Sequence, residues 1–420
     1  MQNSNFIFET EIENLLKEYL GEDCINSFDQ NKNSSKKVDD EISEKINSFY
    51  KEQLQIDPGN CSERIKVDRT ITLSEKKLEP DIFCKFLLEV GQVCLSGGKL
   101  DLATEIYKKA YAKADKTFFK AESLTGLADV YSRRANWSRC TTMINQAKSL
   151  YEKINSGIGL AKCENILGSV FGERGDIDTA KQHFLNSLSF INPEVDPEMA
   201  ANLEINLGAL DGIRGNFNDA LMHLSKALQI YSELGNYKRA SEINLNIGLV
   251  YFEAGEYELA IAAFDDGIDT AKEGGCISVL CLIYLAKSKT LILMNDIYHA
   301  ALFADKAFEI SHNIDDKLTL ADLYKIKGII ERSLKNFKIA ENFLLNSLRI
   351  NTHLRNGINM AETSFELAML YEEIGNLKSQ HFYLMSSLNY YKEINAFVKV
   401  ERIEELLKAN NWQRELSGIN

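Results

Sequence analysis

The sequence predicts an all-α fold, a solenoid of antiparallel helix pairs built from about eight repeats. Three observations predict it. Small residues recur at a constant interval, apolar residues are spaced three and four apart as on one face of a helix, and glycines interrupt the apolar runs midway through the repeats.

The constant interval is the strongest of these observations. Residues that occupy the same position in successive repeats are called a column below. The first small column has an interval of 37 residues between its first two members and of 40 between all later ones. It comprises Gly91, Ala128, Gly168, Gly208, Gly248, Ser288, Gly328 and Ala368. A second small column comprises Ala103, Cys140, Ala180, Ala220, Ala260, Ala300, Ala340 and Gln380. A bulky column comprises Tyr107, Ile144, Phe184, Leu224, Phe264, Ala304, Leu344 and Leu384. Three columns in one register exclude chance and predict a repeat array.

Each repeat is expected to form two helices. In the fifth repeat, Gly255 separates two apolar runs within NIGLVYFEAGEYELAIAAF, residues 246–264. The corresponding break residues are Gly98, Ala135, Gly175, Gly215, Gly255, Asn295, Lys335 and Gly375. Glycine and asparagine suit the left-handed residue that ends a helix. Asp176, Asn216 and Asn376 follow such a glycine and are expected to cap the next helix.

The small columns have a packing explanation. Gly248 and Ala260 are expected where the two helices of a repeat approach closely, because larger side chains would push the helix axes apart. Tyr251 and Phe264 are expected to fill the space on either side.

This order of small and aromatic residues resembles the tetratricopeptide repeat, whose usual unit is about 34 residues. The resemblance covers about residues 81–400. The 40-residue interval is similar to a longer-helix variant found in kinesin light chains, polarity adaptors and bacterial peptide-responsive regulators. It implies a right-handed superhelical solenoid whose concave groove is lined mainly by the first helix of each repeat.

The domain boundaries follow from the repeats. Residues 81–395 hold the eight repeats, 396–410 read as a C-terminal capping helix, and 411–420 form a tail. Residues 1–80 do not repeat and carry 17 acidic and 11 basic residues. They are expected to be a partly flexible helical segment, with helices near 8–20 and 38–55. This segment could cap the first repeat, fold back into the groove or hang free.

Composition restricts the class of partner and the compartment. The formal net charge of −13 argues against a nucleic-acid partner, which requires a clustered basic face. The eight cysteines form no CxxC pair and are expected to be reduced, mostly buried thiols. The first residues lack the basic start of a signal peptide, and the longest apolar run, at 279–286, is too short to cross a membrane. A cytoplasmic protein without membrane insertion is therefore expected.

No catalytic motif stands out. The chain contains no GxSxG, no HExxH, no phosphate-binding GxxxxGK[ST] and no glycine-rich dinucleotide turn. His183 and His223 share a column in adjacent repeats, but a metal site would need further ligands that the sequence does not supply. We expect no enzyme activity, no cofactor and no metal.

Candidate binding residues come from the resemblance. In tetratricopeptide proteins the groove positions lie six and three residues before the first small column, and one, four and five after it. In the longer variant, an asparagine two residues before that column also commonly holds peptide backbone. It corresponds to Asn206 and Asn246, with Asn165 one residue out of register. An amide offers both a donor and an acceptor to a peptide unit. The alternative is that these asparagines bridge neighbouring helices.

The same positions predict an apolar groove patch with basic residues beside it. The apolar residues are Leu245, Leu249, Phe252, Leu282, Leu285 and Ile292. Such a patch would suit an amphipathic helix or apolar peptide anchors, and the alternative is that it belongs to the core between repeats. Lys289, Lys325 and Arg332 lie next to it and would meet a ligand carboxylate. Leu88 and Gln92 do not fit the lysine and asparagine of the chaperone-tail carboxylate clamp, so that clamp is not expected.

These observations favour a non-enzymatic scaffold or adaptor that binds a peptide or helix of another protein. The first alternative is an intracellular regulator that changes superhelix conformation on binding a small signalling peptide. Relatives of that kind carry an N-terminal effector domain, and residues 1–80 show no clear helix-turn-helix. A second is chemistry carried by residues 1–80, for which no candidate triad exists. Homo-oligomerisation through the apolar sixth repeat is a further option.

Overall fold

The computed structural model describes residues 2–20, 61–311, 316–393 and 397–409. The helix predicted near 38–55 and the tail at 411–420 lie outside these ranges. In chain order the helices are α1 Gln2–Leu20, α2 Cys61–Lys77, α3 Pro80–Ser96, α4 Leu100–Lys113, α5 Thr117–Arg133, α6 Trp137–Lys153, α7 Gly157–Glu173, α8 Ile177–Ser189, α9 Pro197–Ile213, α10 Phe217–Glu233, α11 Tyr237–Glu253, α12 Tyr257–Glu273, α13 Ile277–Leu293, α14 Ile297–Ser311, α15 Lys317–Ser333, α16 Phe337–Leu354, α17 Gly357–Ile374, α18 Leu377–Glu393 and α19 Phe397–Ala409.

The all-α prediction is confirmed, since the described ranges contain helices and no strand. Helices α3 to α18 form eight successive pairs that coincide with the eight repeats, and α19 follows the last pair. The chain divides into two compact units, residues 1–210 and 211–420, with the division inside α9. Among the described residues, no helix combines the length and the apolar character needed to cross a membrane.

The breaks between paired helices are left-handed in every repeat. All eight predicted break residues have positive φ, including the non-glycines Ala135, Asn295 and Lys335 at 52°, 60° and 64°. A left-handed residue at this point ends the first helix and lets the chain reverse within two residues. Two of the three predicted caps are present, because Asp176 and Asn376 accept bonds from the amides of Thr179 and Ser379. Asn216 also stands at the N-cap of α10, as predicted, but its side chain makes no capping bond.

Residues of the small and bulky columns meet inside the first, third, fifth and seventh pairs. A Cβ on Gly248 would lie 2.3 Å from the ring of Phe264, and a Cβ on Gly168 would lie 2.5 Å from the ring of Phe184. In the sixth repeat both columns contain small residues. There the bulky column has Ala304, and Ser288 donates a hydrogen bond of 2.8 Å to the carbonyl of Ala300.

In the first unit, the helices before the array pack on the first repeat. Phe8, Ile12 and Leu16 of α1 are buried in one core with Val67 of α2 and Phe86 of α3. Ion pairs extend this contact, since Lys109 and Lys113 of α4 both bind Glu75 of α2 at 2.7 Å. The described part of residues 1–80 therefore covers the open end of the first repeat.

In the second unit, charged side chains are buried between helices. Lys287 of α13 is 5% exposed, pairs with Asp265 of α12, and lies 4.4 Å from the ring centroid of Phe303. Lys327 repeats this arrangement one repeat later, pairing with Asp305. Ion pairs at matching positions thus tie successive repeats together. The described free cysteines of both units are buried, except for the half-buried Cys276.

Candidate functional site

The first unit contains a concave cavity of about 700 Å³ on the face formed by first helices. It is lined by α3, α5 and α7, together with Tyr107 of α4 and Met199 of α9. Its lining follows the repeat columns. The position six residues before the first small column supplies Lys85, Glu122 and Lys162, and the position three before it supplies Leu88, Thr125 and Asn165. Two of the predicted groove positions therefore line this cavity in all three repeats.

The floor of the cavity is the aromatic ring of Tyr107, which lies between two glycines. The ring of Tyr107 lies 2.7 Å from the place of a Cβ on Gly91 and 2.4 Å from that of a Cβ on Gly126. Gly126 is itself part of the lining. Any side chain at either position would meet the ring, so both glycines are required for it to reach the cavity.

The walls are largely apolar. Phe118 and Phe119 begin α5 and contact each other edge to face, with ring centroids 5.6 Å apart. Phe118 is 42% exposed, which is unusual for a large aromatic side chain. Leu88, Ile166 and Met199 complete the apolar lining. A concave, mostly apolar surface with a few polar groups is the usual character of a ligand site.

One carboxylate at the cavity accepts three hydrogen bonds from two side chains. Lys162 donates to both oxygens of Glu122 at 2.9 Å, and the buried hydroxyl of Tyr151 donates to Oε1 at 2.7 Å. Burial raises the pKa of Tyr151, so the hydroxyl remains protonated and available as a donor.

Two asparagines of the predicted peptide-binding set lie together at the edge of this cavity. Asn206 Nδ2 of α9 donates a 3.0 Å hydrogen bond to Asn165 Oδ1 of α7. The contact joins two repeats, since Asn165 belongs to the third and Asn206 to the fourth. The alternative considered from sequence, a bridge between helices, is therefore present. The bond uses one donor of Asn206 and one lone pair of Asn165, so both amides keep further capacity.

In the second unit, the predicted apolar patch is only partly exposed. Leu245, Phe252 and Leu285 pack against the core that contains Phe264 and Ile283. Leu249 and Leu282 are each 40% exposed, whereas Ile292 packs on the neighbouring core around Ala304. The ammonium of Lys289 lies 4.8 Å from the ring centroid of Phe252, and Asn246 is half-buried. Core residues and exposed leucines thus share this face, and its binding role stays a prediction.

The other predicted basic residues are paired within the protein. Lys325 Nζ lies 2.6 Å from Glu362 and 3.3 Å from Asp322. Burial lowers the pKa of Lys325, but the two carboxylates outweigh it and hold the pKa above its usual value. Arg332 binds Glu366 at 2.7 Å. A ligand carboxylate would have to compete with these partners.

The histidines that share a column are held by carboxylates. His183 Nδ1 lies 2.7 Å from Glu164, and its ring stacks on Phe171 with centroids 5.2 Å apart. His223 Nε2 lies 3.6 Å from Asp211. Among the described residues, no group of three metal-ligating side chains comes together.

Sequence reasoning placed most candidates in the fifth to seventh repeats and missed the cavity of the first three. Only Asn165 of the predicted set lines it. The available signal was Gly126, which stands two residues before the first small column, where Asn206 and Asn246 stand in later repeats. The missing side chain there leaves room for the ring of Tyr107, which lines the cavity although it is only 3% exposed.

Comparison with known proteins gives matches of fold and repeat. A tetratricopeptide-repeat family model matches residues 199–273. The apo form of the quorum sensor NprR from B. thuringiensis is 14% identical, with a TM-score of 0.58, over 84% of this chain and 99% of that chain. Aspartyl phosphate phosphatase F from Bacillus subtilis is 15% identical, with a TM-score of 0.57, over 86% of this chain and 94% of that one.

A third structure contains a ligand. NprR in complex with its cognate peptide NprX is 12% identical, with a TM-score of 0.50, over 70% of this chain and 84% of that chain. No curated protein sequence matches the chain. At these identities the solved structures establish a shared helical-repeat fold.

Proposed function

We propose that this chain, in which a tetratricopeptide-repeat model matches residues 199–273, is a non-enzymatic adaptor that binds a peptide segment of a partner protein. The cavity of the first three repeats carries the proposal. Its volume of about 700 Å³ lies in the range of ligand sites, and its aromatic floor and apolar walls suit the side chains of an extended peptide. The proposed setting is cytoplasmic, with no nucleic acid and no cofactor involved.

The asparagine pair supplies the backbone recognition in this proposal. Asn165 Nδ2 retains N–H groups for a peptide carbonyl, and Asn206 Oδ1 retains acceptor capacity for a peptide N–H. Because each amide is oriented by the other, little side-chain freedom is lost when a peptide binds. In the second unit, Asn246 and the exposed Leu249 are proposed as a separate contact surface.

The test is a selection from a random-peptide phage library on the full-length protein, followed by measurement of Kd for a synthetic copy of the enriched peptide. Asn165→Ala and Asn206→Ala should each weaken binding about 2- to 10-fold, the value of one hydrogen bond. Asn145→Ala, an exposed residue on α6, is the matched control and should leave Kd unchanged.

Two results would contradict the proposal. One is an absence of enriched peptides, and the other is binding that none of the cavity variants changes. If Asn246→Ala or Leu249→Asp weakens binding while the cavity variants do not, the site lies in the second unit and the cavity assignment is wrong. Unchanged circular dichroism and melting temperature must accompany each variant.

The second candidate function is a peptide-sensing regulator. It is supported by the similarity to NprR, whose structure was determined with its cognate peptide. In this case the enriched peptide should change the small-angle scattering profile of the protein, because binding would shift an equilibrium between two conformations. An unchanged profile at saturating peptide favours the adaptor.

A further inference from the structure

The charged groups of the cavity are neutralised by one another. Glu122 accepts hydrogen bonds from Lys162 and Tyr151, as described above. Lys85 lies 3.6 Å from Glu89 on the next turn of α3, and Asp129 lies 3.4 Å from Arg133 on α5. Every carboxylate in the lining therefore has a cation of the protein beside it.

From this arrangement we infer that the cavity selects an uncharged peptide segment anchored by a large apolar side chain, and that this binding is insensitive to salt. The inference rests on the proposed function and specifies its ligand class. It differs from the expectation for Lys289, Lys325 and Arg332, in which a ligand carboxylate meets basic residues.

The cost of admitting a charge supports the inference. An acidic ligand group at Lys162, whose side chain is 39% exposed, would compete with Glu122 and could take over the ammonium fully only by displacing that carboxylate, which accepts from Lys162 at two positions. The displaced carboxylate is mostly buried, with its side chain 17% exposed, and would lose partners without regaining full hydration. A basic ligand group at Glu122 would have to displace Lys162, which already donates to both oxygens of that carboxylate. A charged side chain thus gains little from entering.

The apolar parts of the lining show where the anchor would sit. The ring of Tyr107 lies against Gly91 and Gly126 at the base of the cavity and is 3% exposed. Phe118 lies at the rim of the cavity, and 42% of its surface is exposed. A phenylalanine, tyrosine, leucine or methionine side chain placed between them would bury its own apolar surface together with that of Phe118.

The first experiment uses a synthetic peptide enriched from the random-peptide phage library and measures its Kd at about 0.05 M and about 0.5 M salt, between which exposed charge pairs become strongly screened. We expect a large uncharged residue at the position most constrained in the enriched set, and a change in Kd below about threefold. A charged residue at that position, or a larger loss of affinity with salt, overturns the inference.

The second experiment introduces an unpaired charge. Glu122→Gln leaves the Lys162 ammonium without its carboxylate, so a repeated selection on this variant should enrich peptides containing aspartate or glutamate, and their binding should weaken with salt. An unchanged enriched set and an unchanged salt response would show that the pairing of Glu122 does not control selection.

The third experiment locates the anchor. Phe118→Ala should weaken the uncharged peptide at least about tenfold, as expected for a buried aromatic contact. Leu185→Ala removes a similarly exposed side chain, 44% exposed on α8, and should leave Kd unchanged. Equal effects of the two substitutions would overturn the anchor assignment. A failure of the library to yield any binder would instead contradict the proposed function.

Discussion

The Cε1 atom of Phe264 lies 2.3 Å from the position that a Cβ on Gly248 would occupy. Tyr107 and Phe184 stand in the same relationship to Gly91 and Gly168. All three aromatic members of the bulky column therefore face a glycine. The ring of the second helix fills the space left by the missing side chain of the first, which allows the close approach of the pair.

We predict that Gly248→Ala destabilises the protein. The added methyl group raises helix propensity by about 1 kcal/mol, but overpacking against a buried ring costs about 1–3 kcal/mol. The urea midpoint should therefore fall. Gly172→Ala is the matched control, because its nearest neighbour would be Leu210 Cδ2 at 3.6 Å, an ordinary contact. The control should have an unchanged or higher midpoint.

The double variant Gly248→Ala/Phe264→Leu should recover part of the loss. The eighth repeat combines Ala368 with Leu384 at the equivalent positions, so this pair of sizes is compatible with the fold. Strictly additive losses in the two single variants and the double variant would show that the two residues do not interact.

We predict that the charge of Lys287 contributes less than its packing. Lys287→Ala removes a buried stem and its contact with Phe303, and should cost about 2–5 kcal/mol. Lys287→Met keeps much of the volume, and its former partner Asp265, whose side chain is 53% exposed, can be hydrated instead. The methionine variant should therefore lose less stability in urea unfolding. Equal losses would assign the effect to the ion pair.

We predict that Glu164 makes stability depend on acidic pH. Burial raises its pKa, but hydrogen bonds from His183 and Lys148 outweigh this, so the pKa is held below the ordinary value of 4.5. A carboxyl with a lowered pKa in the folded state stabilises the protein above the unfolded-state pKa, and this contribution is lost as the pH falls through the folded-state pKa.

Glu164→Gln tests this prediction. It should lower the urea midpoint at neutral pH, and the difference from the unsubstituted protein should shrink as the pH falls below about 4.5. Glu152→Gln, at an exposed position of α6, is the control and should show no such trend. A difference that stays constant with pH would contradict the assigned role.

We predict that the side chains at two equivalent capping positions, Asp176 and Asn216, contribute different amounts to the stability of the protein. Asp176 accepts a 3.2 Å bond from the amide of Thr179, so Asp176→Ala should cost about 0.5–2 kcal/mol. The side chain of Asn216 makes no capping bond, and Asn216→Ala should cost a few tenths of a kcal/mol at most. Thermal unfolding of both variants measures the difference, and a larger loss for Asn216→Ala would contradict the geometry.

The repeat register was sufficient to predict the helix pairs and their turns. Local conformation is encoded locally: at the turn inside each repeat a residue with positive φ ends the first helix, and small residues face bulky ones where the two helices approach closely. Ala135, Asn295 and Lys335 were identified as breaks from register alone, although none of them is glycine, and each has positive φ.

The candidate site could be predicted only in part. The columns that line the cavity were identified, and Asn165 was among the predicted residues, but the repeats that form the cavity were not. The base of the cavity depends on a contact between repeats, in which Tyr107 of the first repeat reaches Gly126 of the second. The register within a single repeat does not reveal such a contact.

By itself, the sequence determined the all-α fold, the eight helix pairs, the positions of their turns and the sizes of the residues that meet inside each pair. Only the tertiary structure decided which polar groups are already satisfied: Asn206 bonded to Asn165, Lys325 paired with Glu362, Glu122 held by Lys162. The physical reason is the distance along the chain between the residues that interact. Helix geometry and capping depend on residues within a few positions, whereas pairing of charges and amides depends on side chains brought together from different repeats.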